Sequence, residues 1–206
     1  MRATVLQKSY PPPPWNEREI LRYAGADANA PQETLALLHA CRKQAEGALT
    51  YKVCYAQYPI THSESGIDLG FAHTDSEHLK KALSGCHAVL VLAATFGFGI
   101  DRQIAACAHR SPAAAMLLQA IGSERVESLC DAFCEEQAAL FASRGCSLRP
   151  RFSPGYGDLP LSLQRDIFLA LDCAKHIGVA LGENLLMSPQ KSVTALIGIK
   201  KDATKL

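Results

Sequence analysis

Between Arg149 and Pro160 the chain reads RPRFSPGYGDLP. Arg151 supplies a planar guanidinium fork suited to an anion, and Pro154 sets a rigid elbow. Gly155 permits close backbone approach to a ligand, and Tyr156 adds a flat aromatic face with a polar tip. Upstream, Glu127, Asp131 and Glu135 fall at i, i+4 and i+8 of a helical pattern and make an acidic stripe. Like charges at that spacing destabilise a helix by about 0.2–0.5 kcal/mol per pair, unless something faces them. Asp131 beside Arg151 suits a ligand that carries both signs, such as an amino-acid group. The same residue types also make a salt bridge, a turn and a solvated helix face. Residue chemistry alone leaves both readings open.

The other reactive side chains form no constellation. The seven histidines (39, 62, 73, 78, 87, 109 and 176) are scattered and present no nucleophile–base pair. The eight cysteines contain no C-x-x-C pair, and the closest two are Cys130 and Cys134. They are read as reduced core thiols with no metal, although Cys130, Cys134 and Cys146 leave a small thiol or metal protein as a minor alternative. GFGIDR, from Gly97 to Arg102, resembles a nucleotide-binding turn, but Arg102 stands where the third glycine belongs. It reads as a tight strand-to-helix turn, with an anion at the helix start left open.

The elements that must position these residues are legible from pattern. The chain has 206 residues, is 48% hydrophobic and carries a formal charge of +1, which suits one globular domain. The balanced charge gives no case for nucleic acid, and the lack of a long apolar run gives none for a membrane. A cytoplasmic location is expected. Residues 1–14, with prolines from Pro11 to Pro14, read as an N-terminal arm, and 15–206 as the domain. Helices are expected over NEREILRYAG with Asn16 as cap, over PQETLALLHACRKQAEG, and over TDSEHLKKALSG with a Thr74–Glu77 capping box. Another runs from Pro112 to Arg144 with a break at Gly122–Ser123, and a last one covers LSLQRDIFLALDCAKHIG. Strands are expected in TYKVCYAQYPI, GIDLGF, HAVLVLAAT, IGVAL and SVTALIGI, the last two completing the sheet. The fold class is therefore α+β, or mixed α/β.

RFSPGYGDLPLSLQRDIFLALDCAKHIGVAL followed by MSPQKSVTALIGI resembles the activation domain of cobalamin-dependent methionine synthase, and stand-alone proteins built on that domain. The similarity extends back through AATFGFGIDR and AIGSERVESLCDAF. It implies a largely antiparallel central sheet flanked by helices, and an S-adenosylmethionine site. Carried over, the implied ligand residues are Asp131, Arg151, the Ser153 backbone, Gly155 and Tyr156. Arg151 would take the carboxylate, Asp131 the ammonium, and Tyr156 would form a wall. The resemblance further implies an accessory role in reductive methylation of cob(II)alamin. The cobalamin would be carried by a separate corrinoid-binding protein such as a methionine synthase cobalamin domain, with a flavodoxin or ferredoxin-type electron donor. No D-x-H-x-x-G motif for a cobalt-ligating histidine occurs.

The chain departs from the family where Asp131 replaces glutamate, where GDLP follows Tyr156 in place of P-A-C-P, and where Gly182, Glu183 and Asn184 replace T-E-S. No tyrosine follows the last strand up to Leu206. These departures motivate the alternative of a scaffold or chaperone for a corrinoid protein that no longer binds S-adenosylmethionine. The binding reading expects Arg151 to lack a protein partner without ligand, so that its removal spares stability. A purely structural role expects a bridge within the fold.

Overall fold

The computed structural model describes residues 3–27 and 29–202. In chain order the elements are β1 (Leu6–Tyr10), α1 (Glu17–Tyr23), α2 (Gln32–Glu46), β2 (Tyr51–Pro59), β3 (Thr61–Ser63), β4 (Gly66–Asp68), β5 (His73–Thr74), α3 (Glu77–Ala82), β6 (Ala88–Thr95), α4 (Gly99–Cys107), α5 (Pro112–Ala142), β7 (Cys146–Leu148), α6 (Leu163–Leu171), α7 (Cys173–Ile177), β8 (Ala180–Leu181), β9 (Met187–Ser188) and β10 (Ser192–Lys201). The main sheet runs β1-β2-β6-β10-β7, and every neighbouring pair is antiparallel. The α+β class with an antiparallel sheet flanked by helices is what the sequence led us to expect. No helix among the described residues is long and apolar enough to cross a membrane.

The continuous apolar run of β6 explains its central place, since a strand covered on both faces has no need of alternating polar residues. All eight of its residues are buried. Leu90, Leu92 and Ala94 face a core closed by α1, α2, α4 and α5, built around Ile20, Leu38, Ile100, Leu129 and Phe133. Val89, Val91 and Ala93 face a second core closed by α3, α6 and α7, with Leu79, Leu163, Ile167 and Ile177. Each such valine, leucine, isoleucine or phenylalanine contributes roughly 1.5–3 kcal/mol of burial.

Five local expectations change. The stretch read as an arm contains β1, the edge strand of the sheet, with Leu6–Tyr10 paired to Tyr55–Tyr51. The capping residue of α3 is Ser76, whose hydroxyl accepts from Leu79 N at 3.0 Å, while Thr74 belongs to β5. The helix is not broken at Gly122–Ser123: α5 is continuous for 31 residues. Ser123 donates its hydroxyl back to Gln119 O at 3.1 Å, and Gly122 makes room for the stem of Lys191, 3.0 Å from where a Cβ would stand. The last helical pattern divides into α6 and α7 at Asp172, which has a positive φ of 46°. Finally, IGVAL does not join the main sheet. Its Ala180–Leu181 forms a two-stranded ribbon with Met187–Ser188. Residues beyond Asp202, where the resemblance would place a further tyrosine, lie outside the described residues.

The proline run is held by a buried ion pair. Arg125 has no solvent exposure and pairs with Glu124 beside it. It donates to Pro13 O at 2.6 Å and Pro14 O at 2.7 Å, and lies over the Trp15 ring at 4.1 Å. Glu124 accepts in turn from Asn16 N at 3.2 Å and from the Ser128 hydroxyl at 2.6 Å. The prolines cannot donate, so their carbonyls are the groups a cation can grip. Arg125→Ala would strand the Glu124 charge, at an expected cost of about 3–5 kcal/mol in urea unfolding. The double change Glu124→Gln with Arg125→Met leaves no unpaired charge and is expected to cost less. Trp15 is the only tryptophan, so its emission reports directly on whether the segment stays docked. A cost below about 1 kcal/mol for Arg125→Ala, the scale of an exposed pair, would show that this clamp is dispensable.

Candidate functional site

Incomplete pairing of β10 creates the site. On its outer side β7 pairs only with Ile199–Lys201, and Phe152 bridges Leu196. The chain then turns away, so that Ser192–Ala195 have β6 on one side and no strand on the other among the described residues. A cavity of about 810 Å³ opens along this edge. Glu127, Cys134 and Ala138 of α5 form one wall, and Val193, Thr194 and Ile197 of β10 form the floor. The loop supplies Arg151, Phe152, Ser153, Pro154 and Tyr156, while Gln164 of α6 and Met187 of β9 close the far side.

The loop is fixed by its own backbone and by an aspartate. Gly155 N donates to Leu159 O at 2.9 Å, and Tyr156 N to Ser153 O at 3.2 Å. Gly155 and Gly157 have φ of +89° and +59°, which glycine adopts without strain. A Cβ on Gly157 would also stand 2.2 Å from His78 Nδ1. The Asp158 carboxylate accepts from the Ser76 hydroxyl, from Glu77 N at 2.8 Å and from His78 N at 3.2 Å. GDLP thus ties the loop to the start of α3. The Ser76 hydroxyl, then the backbone N–H groups of Glu77 and His78, hold the Asp158 carboxyl below the ordinary aspartate range.

Arg151 has partners within the fold. Its Nη2 donates to Glu127 Oε2 at 3.0 Å and to Asp131 Oδ1 at 2.7 Å. The expectation of a partnerless arginine is therefore corrected. Periodicity had placed the two acids one turn apart on a face, and that face is the one the loop crosses. Both bonds use a single nitrogen. Nε and Nη1 have no protein acceptor among the described residues, so the fork keeps donors for a further anion. The structure brings Arg151, Ser153 and Tyr156 together on the cavity wall. Asp131 touches Arg151 but sits in a smaller depression with Asn16, Glu19 and Tyr23. Gly155 shapes the turn and is not on the wall, and Tyr156 is 69% exposed at the rim. Glu135, the third acid of the stripe, has no such contact.

Glu127 is the acid on the cavity wall; the sequence reading placed it in the acidic stripe but carried only Asp131 over as a ligand residue. Its place one turn before Asp131 was the available signal. Gln164 and Thr194 were also passed over, the one inside an amphipathic helix and the other inside an apolar strand. Burial pushes the Cys130 thiol up to about 12 and that of Cys134 up to about 11, against the pull of the Arg151 charge. Neither is a thiolate at neutral pH. The cavity is equipped to hold a zwitterionic, partly apolar ligand.

Two measurements test this geometry. Arg151→Ala is expected to lower folding stability by about 1 kcal/mol, the scale of a half-exposed pair, even without ligand. An unchanged denaturation midpoint would mean that the bridge contributes nothing to the fold. For Asp158 the depressed folded pKa fixes the sign. The tether contributes stability above the unfolded aspartate value of about 3.9, and loses it as pH falls through the folded value. Asp158→Asn should therefore lower the thermal midpoint near pH 7 and flatten its decline in acid. An acid limb identical to wild type would assign that decline to other carboxyls.

No protein-family model matches the chain, and no curated protein matches it. Among solved structures, the crystal structure of the MetH reactivation domain bound to AdoHcy is similar, with a TM-score of 0.67 at 16% identity. The likeness covers 100% of this chain and 81% of that one. It agrees with the resemblance carried by the R-x-x-P-G-Y loop and the SVTALIG strand: this chain has the fold of the MetH reactivation domain.

Proposed function

We propose that the chain binds S-adenosylmethionine in the cavity along β10 and presents its methyl group to the corrinoid of a separate methyltransferase of the methionine synthase kind. The observation that carries this reading is the Arg151 fork. It is fixed to Glu127 and Asp131 through one nitrogen and keeps donors toward a cavity on a fold whose solved example holds AdoHcy. The ligand carboxylate meets Nε and Nη1, and the ammonium meets the carboxylate of Glu127 on the cavity wall, with Asp131 holding the guanidinium from behind. Opposite charges are thus set side by side before the ligand arrives, which lowers the ordering cost of binding.

The chain's task is positioning. The partner's corrinoid, reduced by an electron from a flavodoxin or ferredoxin-type protein, would supply the nucleophile that takes the methyl group, and this chain would be left holding S-adenosylhomocysteine, a neutral thioether. No side chain of this protein has to take or give a proton in that step. The cavity need only hold the sulfonium in line and leave its methyl open at the rim, where Tyr156 is exposed. The second reading, a scaffold for a corrinoid protein without ligand binding, draws on the same Arg151 bridge, because the arginine is already paired in the ligand-free fold.

Calorimetry separates the two. S-adenosylmethionine should bind the isolated wild type, and Arg151→Ala should lose a charge-assisted contact of about 1.5–3 kcal/mol, roughly tenfold to a hundredfold in Kd. Arg151→Lys should recover only part, because an ammonium has no fork. Absence of binding to wild type, with a corrinoid protein still captured, would replace the ligand-binding reading by the scaffold.

A further inference from the structure

Two polar side chains in the cavity carry a buried oxygen with no hydrogen-bond partner among the described residues. Gln164 is 6% exposed and Thr194 2% exposed, and both line the cavity. Gln164 Oε1 and Thr194 Oγ1 are buried without a hydrogen-bond partner. A buried polar atom left unpaired costs about 1–3 kcal/mol, and most buried polar groups in folded proteins avoid this. Here two occur in one cavity, on two different elements.

Their position relative to the charged end is set by the sheet. Glu127 projects from α5, which packs on the face of β10 that carries Ala195 and Ile197. Gln164 lies on α6, which packs on the opposite face with Leu196. Strand alternation puts Thr194 on the same face as Leu196. A ligand whose amino-acid end is held by Arg151 and Glu127 must therefore cross the open edge of β10 before it reaches Gln164 and Thr194. The walls between are largely apolar, with Phe152, Met187, Val193 and Ile197. What arrives at the far side must be flat or apolar on its faces and carry hydrogen-bonding atoms on its edge. A purine base has that character. A side-chain amide presents one acceptor and one donor side by side, the complement of the adenine N6–H and N7 edge.

We propose that Gln164 reads the adenine edge of the ligand, with the amide oxygen accepting from the exocyclic amine, and that the Thr194 hydroxyl bonds a ring nitrogen beside it. This assignment rests on the proposed S-adenosylmethionine reading, and it names the pair that sets which base is taken. Hypoxanthine presents acceptors at both the O6 and N7 atoms, so one amide satisfies only one of them. The site then rejects the inosyl analogue because its own buried oxygen stays unpaired, the condition under which polar sites discriminate most strongly.

The test titrates wild type, Gln164→Leu and Thr194→Val with S-adenosylhomocysteine and with S-inosylhomocysteine, and records the thermal midpoint of each ligand-free protein. Wild type is expected to prefer the adenosyl ligand by about tenfold or more. Gln164→Leu should lose most of its affinity for the adenosyl ligand, and its preference should collapse toward unity. Its ligand-free midpoint should stay or rise, because an unpaired buried acceptor has been removed. Thr194→Val, which keeps the shape, should weaken both ligands while the preference for adenine persists. Equal binding of both ligands to wild type would overturn the base-reading role and leave the S-adenosylmethionine site standing. A lowered midpoint of Gln164→Leu with unchanged affinity would make the glutamine architectural. If neither ligand binds wild type, the proposed function falls and the base assignment falls with it.

Discussion

The contact of Arg151 with α5 decides where everything else in the site can be. One guanidinium nitrogen holds Glu127 and Asp131 a helical turn apart, and the loop behind it therefore crosses α5 at one height only. The two acids on one helix face would repel each other, and the arginine relieves that cost. The bridge and a ligand site are often treated as competing explanations for such a cluster. A guanidinium has five donors in a rigid fork, and two acceptors on one nitrogen leave room for a third. The same residue can order the loop in the free protein and still recognise a carboxylate.

The cavity itself follows from a strand that lacks a full-length neighbour. An exposed edge of unpaired backbone groups is ordinarily a liability, and proteins cover it, shorten it or use it. Here β7 covers three residues, Phe152 covers one more, and the loop then lifts off to make a wall. The opening at the edge lets one ligand touch both faces of the sheet, which neither core alone would permit. The charged wall comes from the α5 side and the uncharged polar groups from the α6 side. A molecule with a zwitterionic end and a hydrogen-bonding apolar end is matched to that division.

Much of the fold was legible in pattern because burial imposes the periods. The buried run of β6 lies in the core, as do Val126, Leu129, Cys130, Phe133, Gln137 and Phe141 of the helical stripe on α5, whereas Leu140 on the same stripe is 40% exposed. The errors share a cause: a tertiary contact outweighed a local signal. Leu6–Tyr10 looks unremarkable alone and becomes a strand because β2 offers an edge. Gly122 would interrupt an isolated helix, but inside α5 it is the groove into which the Lys191 stem fits. Asp158, far away in sequence, accepts from the first backbone N–H groups of α3 beside its cap Ser76, a contact with no local signal. In the site, Arg151 and Tyr156 were visible because loop chemistry is unusual. Gln164 and Thr194 were not, because a single polar residue in an apolar segment shows its meaning only when its lack of a partner can be seen.

The N-terminal segment gains significance from where its clamp lies. Glu124 and Arg125 grip Pro13, Pro14 and Asn16 less than one turn before Glu127. Two consecutive stretches of α5 are therefore tied from outside, first by the proline run and then by Arg151. A helix of 31 residues bends readily unless its sides are held, and a shift of its wall by an ångström would displace Glu127 on the cavity wall. The buried ion pair adds little net stability by itself, since desolvating two charges costs nearly as much as pairing them returns. Its value is geometric. With Trp15 stacked on the guanidinium and the carbonyls of Pro13 and Pro14 gripped, the segment is held against α5 less than one turn from Glu127.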